Sequence, residues 1–189
     1  MDRRDEILTA TQHAFLKYGI EKITLDDIAG ECGIKKTAIY YYFKSKEDIV
    51  AEMLKQQINA IQLSVSEKVD QSKTVREKLH SFMKTKIIVM QDNLPLMKLL
   101  QNEYLPNKVK QILLEKSQDM RDFDFHLVRE IIKQGIQNHK VSCELNDSLV
   151  LMILGVTYGT FFGRFMENAN WDTDEMIDTA IEVIFNGIG

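Results

Sequence analysis

Residues 24–49 read Thr24-Leu25-Asp26-Asp27-Ile28-Ala29-Gly30-Glu31-Cys32-Gly33-Ile34-Lys35-Lys36-Thr37-Ala38-Ile39-Tyr40-Tyr41-Tyr42-Phe43-Lys44-Ser45-Lys46-Glu47-Asp48-Ile49. Helix signals succeed one another along this stretch. The Thr24 hydroxyl stands where an N-cap belongs, with Asp27 at the third helical position, and Ile23 and Ile28 fall where a hydrophobic staple is placed. The helix so opened is short, burying Leu25, Ile28, Ala29 and Cys32 before Gly33 turns the chain. A third helix runs to about Phe43. Ser45 with Asp48 then repeats the cap and starts a long helix through Val50, Leu54, Ile58, Ile61 and Val65. Upstream, Ile7, Thr11, Ala14, Phe15 and Tyr18 form one helical stripe ended by Gly19. Three short helices with a glycine turn between the second and third make a helix-turn-helix candidate.

At 100° per residue, the third helix puts Ile39 and Phe43 on one face as core anchors. Thr37 and Tyr41 fall opposite, joined by Lys44 if the helix runs that far, with Tyr40 and Tyr42 on the flanks. From Ile34 to Lys46 there are four lysines and no acid. A face of hydroxyl, aromatic and basic groups suits a DNA major groove and its phosphate walls. A solvated face with tyrosines packed on neighbours is the plainer alternative, and three consecutive tyrosines in that basic window favour DNA.

The rest of the chain is also helical in period. Thr74-Val75-Arg76-Glu77 is a capping box ahead of Leu79, Phe82, Met83, Ile87 and Met90. Pro95 interrupts, a short segment runs to about residue 103, and Pro106-Asn107 starts a long helix to about Asn138. Two last helices cover about 146–168 and 173–187. The expected class is all-α: an N-terminal helix-turn-helix domain over 1–47 and a C-terminal helical ligand-binding and dimerisation domain over 48–189.

Composition narrows the function. The 189 residues carry a net charge of -4, with 24 Lys+Arg against 28 Asp+Glu. On a mildly acidic chain, DNA binding must rest on charge distribution rather than on its sum. Cys32 and Cys143 lie far apart in sequence and offer no metal spacing and no disulfide framework, so a reduced, cytoplasmic setting is expected. The charged N-terminus is not expected to act as a signal peptide. The uncharged stretch from Ser148 to Gly163 is too short to cross a bilayer and reads as a buried helix, so no membrane partner is expected. No histidine pair has zinc spacing, and Asp122 with His126 reads as a surface pair. With no nucleophile set and no phosphate loop, the chain is expected to be no enzyme and to need no cofactor or metal.

Residues 3–54 resemble the DNA-binding domain of TetR-type transcriptional regulators. The resemblance rests on Gly33-Ile34, Lys36, Ile39-Tyr40-Tyr41, Phe43, Ser45-Lys46-Glu47-Asp48, and upstream on Ile7-Leu8, Ala14-Phe15, Tyr18-Gly19 and Thr24-Leu25-Asp26-Asp27-Ile28-Ala29. It implies a homodimer whose recognition helices enter successive major grooves of a palindromic double-stranded DNA operator. By that resemblance Thr24 and Lys46 hold phosphates, Tyr41 contacts the backbone or a thymine methyl, Tyr42 takes the place of a histidine, and Lys36 and Thr37 lie nearest the base edges. Lys35 and Tyr40 complete the DNA-facing set. Three positions depart from the family pattern. Lys35 replaces a small hydroxyl cap at a cost of about 1 kcal/mol, Thr37 replaces glycine, and Tyr42 replaces histidine.

Beyond residue 50, Gly155, Gly159 and Gly163 form one ridge, with Tyr158, Phe161, Phe162 and Phe165 as an aromatic stripe. Glycine within a helix costs about 1 kcal/mol relative to alanine, so a ridge of three calls for close backbone approach. A dimer interface with the last helix (Ile177, Ala180, Ile181, Ile184, Ile188) is expected, against close packing within one subunit. The resemblance also implies a small-molecule pocket in this part. Phe82, Met83, Met90, Met97, Tyr104, Met120 and Phe123 are its expected lining, suited to a lipophilic effector because methionine adapts to irregular shapes. The function expected is a ligand-responsive repressor, with a carrier protein retaining a helix-turn-helix scaffold, or an activator, as alternatives.

Overall fold

A computed structural model describes residues 2–99, 102, 104–138, 146–166 and 170–186, except for the side chains of Phe165 and Met166. Cys143, Ile188 and the Phe165 side chain therefore lie outside the described residues. The described residues form helices and no strand: α1 (Arg3–Tyr18), α2 (Leu25–Cys32), α3 (Lys36–Tyr42), α4 (Lys46–Asp70), α5 (Val75–Asp92), α6 (Leu94–Leu99), α7 (Asn107–Gln137), α8 (Asp147–Phe161) and α9 (Thr173–Asn186). None is long and apolar enough to cross a membrane. The chain divides into two compact units, one made of residues 1–59 with 95–118, the other of 60–94 with 119–189. Both α4 and α7 contribute residues to each.

In the first unit, α1 buries Ile7, Leu8, Ala10, Thr11, Ala14 and Phe15 and packs on α2, which packs on α3. Tyr18, placed in the α1 stripe from the sequence, is exposed and lies under the Lys17 ammonium. The capping box of α2 forms in full: the Asp27 N–H donates to Thr24 Oγ1 at 3.2 Å and the Thr24 N–H to Asp27 Oδ2 at 2.8 Å. Ile23 and Ile28 are both buried. At the other end, Gly33 takes φ 66° and ψ 29°, the left-handed region where glycine carries no Cβ penalty. Its N–H donates to the Gly30 carbonyl and the Ile34 N–H to that of Ala29. This is a Schellman closure, and it sets the turn into α3.

The second unit is built from the end of α4, α5, the larger part of α7, α8 and α9. Here α5, α8 and α9 pack on one another. The Thr74–Glu77 capping box opens α5, whose inward face is Leu79, Phe82, Met83, Lys86, Ile87 and Met90. Asn146 caps α8 through its side chain. Past Phe161 the helix widens into a π turn over Phe162–Met166. Such a turn rotates the side chains beyond it away from the α-helical stripe. Phe161 is buried while Phe162 is exposed, so the expected aromatic stripe divides between core and surface.

These caps make the fold acid-sensitive in a defined window. Hydrogen bonds from the Thr24 side chain and backbone hold the Asp27 carboxyl below its ordinary value of 3.8. Backbone N–H groups of Thr74 and Lys73 hold Glu77 below 4.5. The Lys108 ammonium, with Ser45 assisting, does the same for Asp48. A carboxyl depressed on folding stabilises the fold above its unfolded pKa, and the gain is lost as pH falls through the folded value. Thermal melts followed by circular dichroism should be flat from pH 7 to about 5 and fall below about pH 4.5. Glu77→Gln should flatten the upper edge of that fall.

Candidate nucleic-acid interface

The outward face of α3 is built by one buried residue. Ile39 is fully buried, which turns the opposite side of the helix to solvent. There Tyr41 is 85% exposed and Tyr40 53%, and Lys35, Lys36, Thr37 and Ala38 are exposed with them. Tyr42 is half-buried and meets the Tyr41 ring edge-on, with centroids 5.0 Å apart. That contact restrains Tyr41 without covering it. The helix stops at Tyr42, and Phe43 is extended. Lys44 is exposed but does not continue the α3 face. Phe43 remains an anchor all the same, buried with the Arg4 guanidinium 4.7 Å over its ring.

The expected phosphate-holding residues come together. Lys46 Nζ donates to the carbonyl of Ile23 at 3.2 Å, next to Thr24 at the start of α2. The Thr24 N–H and hydroxyl are both engaged by Asp27. A phosphate at this corner would meet the Lys46 ammonium and the first free N–H groups of α2, where the helix dipole favours an anion. Lys36 is tied to Asp26 at 2.8 Å, and that contact raises its pKa. Lys35 makes no side-chain cap at the start of α3, in keeping with the missing hydroxyl. Asp26, which fixes the direction of Lys36, is absent from the sequence-derived site. Its signal was a carboxylate in the first turn of the preceding helix.

Of the expected effector-lining residues, Phe82, Met83, Met90 and Met120 are buried in the second unit, and Phe123 is half-buried there. Met97 is buried in the first unit, to which Tyr104 also belongs. Tyr104 is 88% exposed, because the short segment before α7 turns it to solvent, and it lines no enclosed core. Two charged residues without a signal in the motif pattern are wholly buried among the apolar ones. Lys86 on α5 and Asp124 on α7 approach to 2.7 Å, both side chains without exposed surface, and the Tyr158 hydroxyl of α8 donates to the same Asp124 Oδ2. Burial pushes the Lys86 ammonium down against the opposing pull of Asp124. It pushes the Tyr158 phenol up. Their spacing is nevertheless a usable signal: Lys86 interrupts Phe82 and Met90 at four-residue steps, and Asp124 interrupts Met120 and Val128.

The glycine ridge splits. A Cβ on Gly163 would overlap the ring of Trp171, whereas one on Gly155 or Gly159 would meet nothing within 4 Å. Gly163 is thus explained by packing inside the chain. Gly155 and Gly159 lie exposed in a stripe with Leu151, Met152 and Phe162, all large apolar side chains in solvent. Ile177, Ile181 and Ile184 are buried by their own chain. The neighbouring face of α9 supplies Met176, Ala180 and Val183 to a groove of about 490 Å³ with Met152, Val156 and Trp171. Among the described residues no group of three His, Cys, Asp or Glu is arranged to hold a metal.

The profile of the bacterial regulatory proteins of the tetR family matches residues 7–53. The fatty acid metabolism regulator protein of Bacillus subtilis is 22% identical over 97% of this chain and 94% of its own. The HTH-type transcriptional repressor KstR2 of Mycolicibacterium smegmatis is 42% identical over 53 residues, 28% of this chain and 26% of its own. Among solved structures, the regulator FadR of Bacillus subtilis in complex with stearoyl-CoA superposes with a TM-score of 0.69 at 22% identity, covering 98% of this chain and 99% of that one. The profile match falls on the capped, glycine-turned helices that expose Tyr40 and Tyr41, and over residues 7–53 the chain carries the domain shared by the tetR family of bacterial regulatory proteins, that of a DNA-binding transcriptional regulator.

Proposed function

We propose that the protein is a dimeric repressor that holds a palindromic operator and releases it on binding a small lipophilic effector. The observation that carries the DNA half is the solvent-facing Lys36–Thr37–Tyr40–Tyr41 surface of α3, set by the buried Ile39. Thr24, Lys46, Lys35 and Tyr42 flank it as backbone contacts, which position the helix without reading sequence. Dimerisation is assigned to the exposed α8 stripe with the α8–α9 groove, because contiguous exposed apolar surface marks an interaction site. A twofold pair presents two heads to two half-sites. Effector action is a population shift: the ligand binds the DNA-released state better, and by reciprocity the operator weakens the ligand. The buried Phe82, Met83, Met90 and Met120 support an apolar effector body. So does the likeness to a regulator solved with an acyl-CoA. DNA reading and effector response are assigned to the units of which residues 1–47 and 48–189 form the main parts.

A mobility shift on DNA from upstream of the protein's own gene, with genome-wide selection of bound fragments, tests this reading. The expected result is a saturable, competitor-resistant complex that weakens steeply with salt, since phosphate contacts release counterions. Tyr41→Ala and Lys46→Ala should each weaken it about tenfold, and Lys46→Ala should also lower the salt slope by about one per head. Melting temperature should be unchanged for Tyr41→Ala, because that side chain packs on little of its own chain. No selective complex on any fragment would leave a carrier protein with an unused helix-turn-helix.

A further inference from the structure

The buried Lys86–Asp124–Tyr158 cluster is electrostatically closed but incomplete in its hydrogen bonds. Its contacts converge on one oxygen. Lys86 Nζ lies 2.7 Å from Asp124 Oδ2, Tyr158 donates to that same Oδ2, and the ammonium stands 5.9 Å from the Tyr158 ring centre. Asp124 Oδ1 accepts nothing from any described residue. Lys86 Nζ meets Oδ2 off the hydrogen-bond line and donates to no other described group. A buried ion pair holds geometry and satisfies its charges, yet an idle carboxylate oxygen beside idle ammonium protons is costly in an apolar surround.

Charge, capacity, surroundings and access together specify what would complete it. Lys86 and Asp124 already cancel, so an anionic or cationic group brought here would add an unmatched charge. What is unfilled is one acceptor, Oδ1, beside donors on Nζ, and a group that both donates and accepts can serve both. The neighbours along the same helix faces are Phe82, Met83 and Met90 on α5 and Met120 and Val128 on α7, all buried, so the remainder of such a molecule must be apolar. Tyr158 is the half-buried member of the cluster and lies on its solvent side.

We propose that Lys86, Asp124 and Tyr158 form the recognition site for a neutral donor–acceptor head group, an alcohol or a carboxamide, carried on an otherwise apolar effector. The proposal rests on the effector-responsive reading above and gives it a ligand class. Asp124 Oδ1 accepts from the head group, Lys86 donates to it, and Tyr158 steadies Oδ2 so that Oδ1 stays directed at the ligand.

The test compares octane, 1-octanol, octanamide and octanoate as direct ligands of the full chain, with no DNA present. In the wild type, 1-octanol and octanamide should bind about tenfold tighter than octane, the worth of about two ordinary hydrogen bonds, and also tighter than octanoate. In Lys86→Met/Asp124→Leu, which exchanges the pair for apolar side chains, that advantage should vanish and octane should bind as well as 1-octanol. A variant that keeps the tenfold advantage overturns the proposal, as does a wild type that prefers octanoate or binds none of the four. Should the double variant fail to fold, wild-type protein labelled with [15N]lysine decides. The slowly exchanging Lys86 amine resonance should move with octanamide and stay still with octane, and a resonance unmoved by bound octanamide overturns the assignment. The operator complex, assayed separately without ligand, reports on the regulator reading alone, so the two failures are distinguishable.

Discussion

Gly155→Leu/Gly159→Leu is expected to yield a folded monomer whose operator affinity is lower by more than about a hundredfold. Within the chain, a Cβ at either position meets nothing within 4 Å, and leucine favours helix over glycine. The monomer therefore has no steric reason to reject the change. Leu151 and Met152 on the same side of α8, and Phe162 just past its end, stay in solvent, and the proposed partner must approach between them. Two added isobutyl groups hold that partner off. Once the heads part, binding of the second half-site loses the effective concentration that the dimer supplied, worth about 10²–10⁴-fold. Light scattering gives the mass, circular dichroism the helicity and a mobility shift the affinity. A dimer with native affinity would remove α8 from the interface.

The second large effect lies inside the fold. Lys86→Ala alone should destabilise the protein by about 3–5 kcal/mol, since it leaves the wholly buried Asp124 carboxylate without its counter-charge. For a chain of this size that is a fall on the order of 10 °C in melting temperature. Lys86→Met/Asp124→Leu should melt within a few degrees of the wild type, because exchanging both charges for apolar groups of similar volume is often neutral or better. Scanning calorimetry on the three proteins separates these expectations. A single variant as stable as the wild type would mean that the carboxylate finds water or another partner.

Sequence and structure agree best where the interaction is local. The Thr24–Asp27 and Thr74–Glu77 boxes and the Gly33 turn each involve residues a few positions apart, and all form as the residue types predict. The inward set on α3 was legible too, since one isoleucine and one phenylalanine stand among polar and aromatic neighbours. What depends on distant partners was not legible. Tyr158 stood out from the sequence as an aromatic residue, but its hydroxyl partner comes from another helix. Gly163 looks like its two neighbours on the ridge until Trp171 is found against it. The assignment of Ile177, Ile181 and Ile184 to a partner subunit meets a similar limit. Helical period identifies an apolar face without saying which molecule covers it, and here the chain covers its own.

The division of the chain has a consequence for anyone wishing to exchange its DNA-reading head. The first unit includes residues 95–118, and Leu105, Val109 and Leu113 from that segment are buried in it. Lys108, near the start of α7, pairs with Asp48 at the start of α4. A chimera spliced at residue 47 would ask a foreign head to seat those three apolar side chains and to offer Lys108 a carboxylate. Transplanting specificity requires the 95–118 segment to travel with the first 59 residues, so the transferable module is discontinuous in sequence although compact in space.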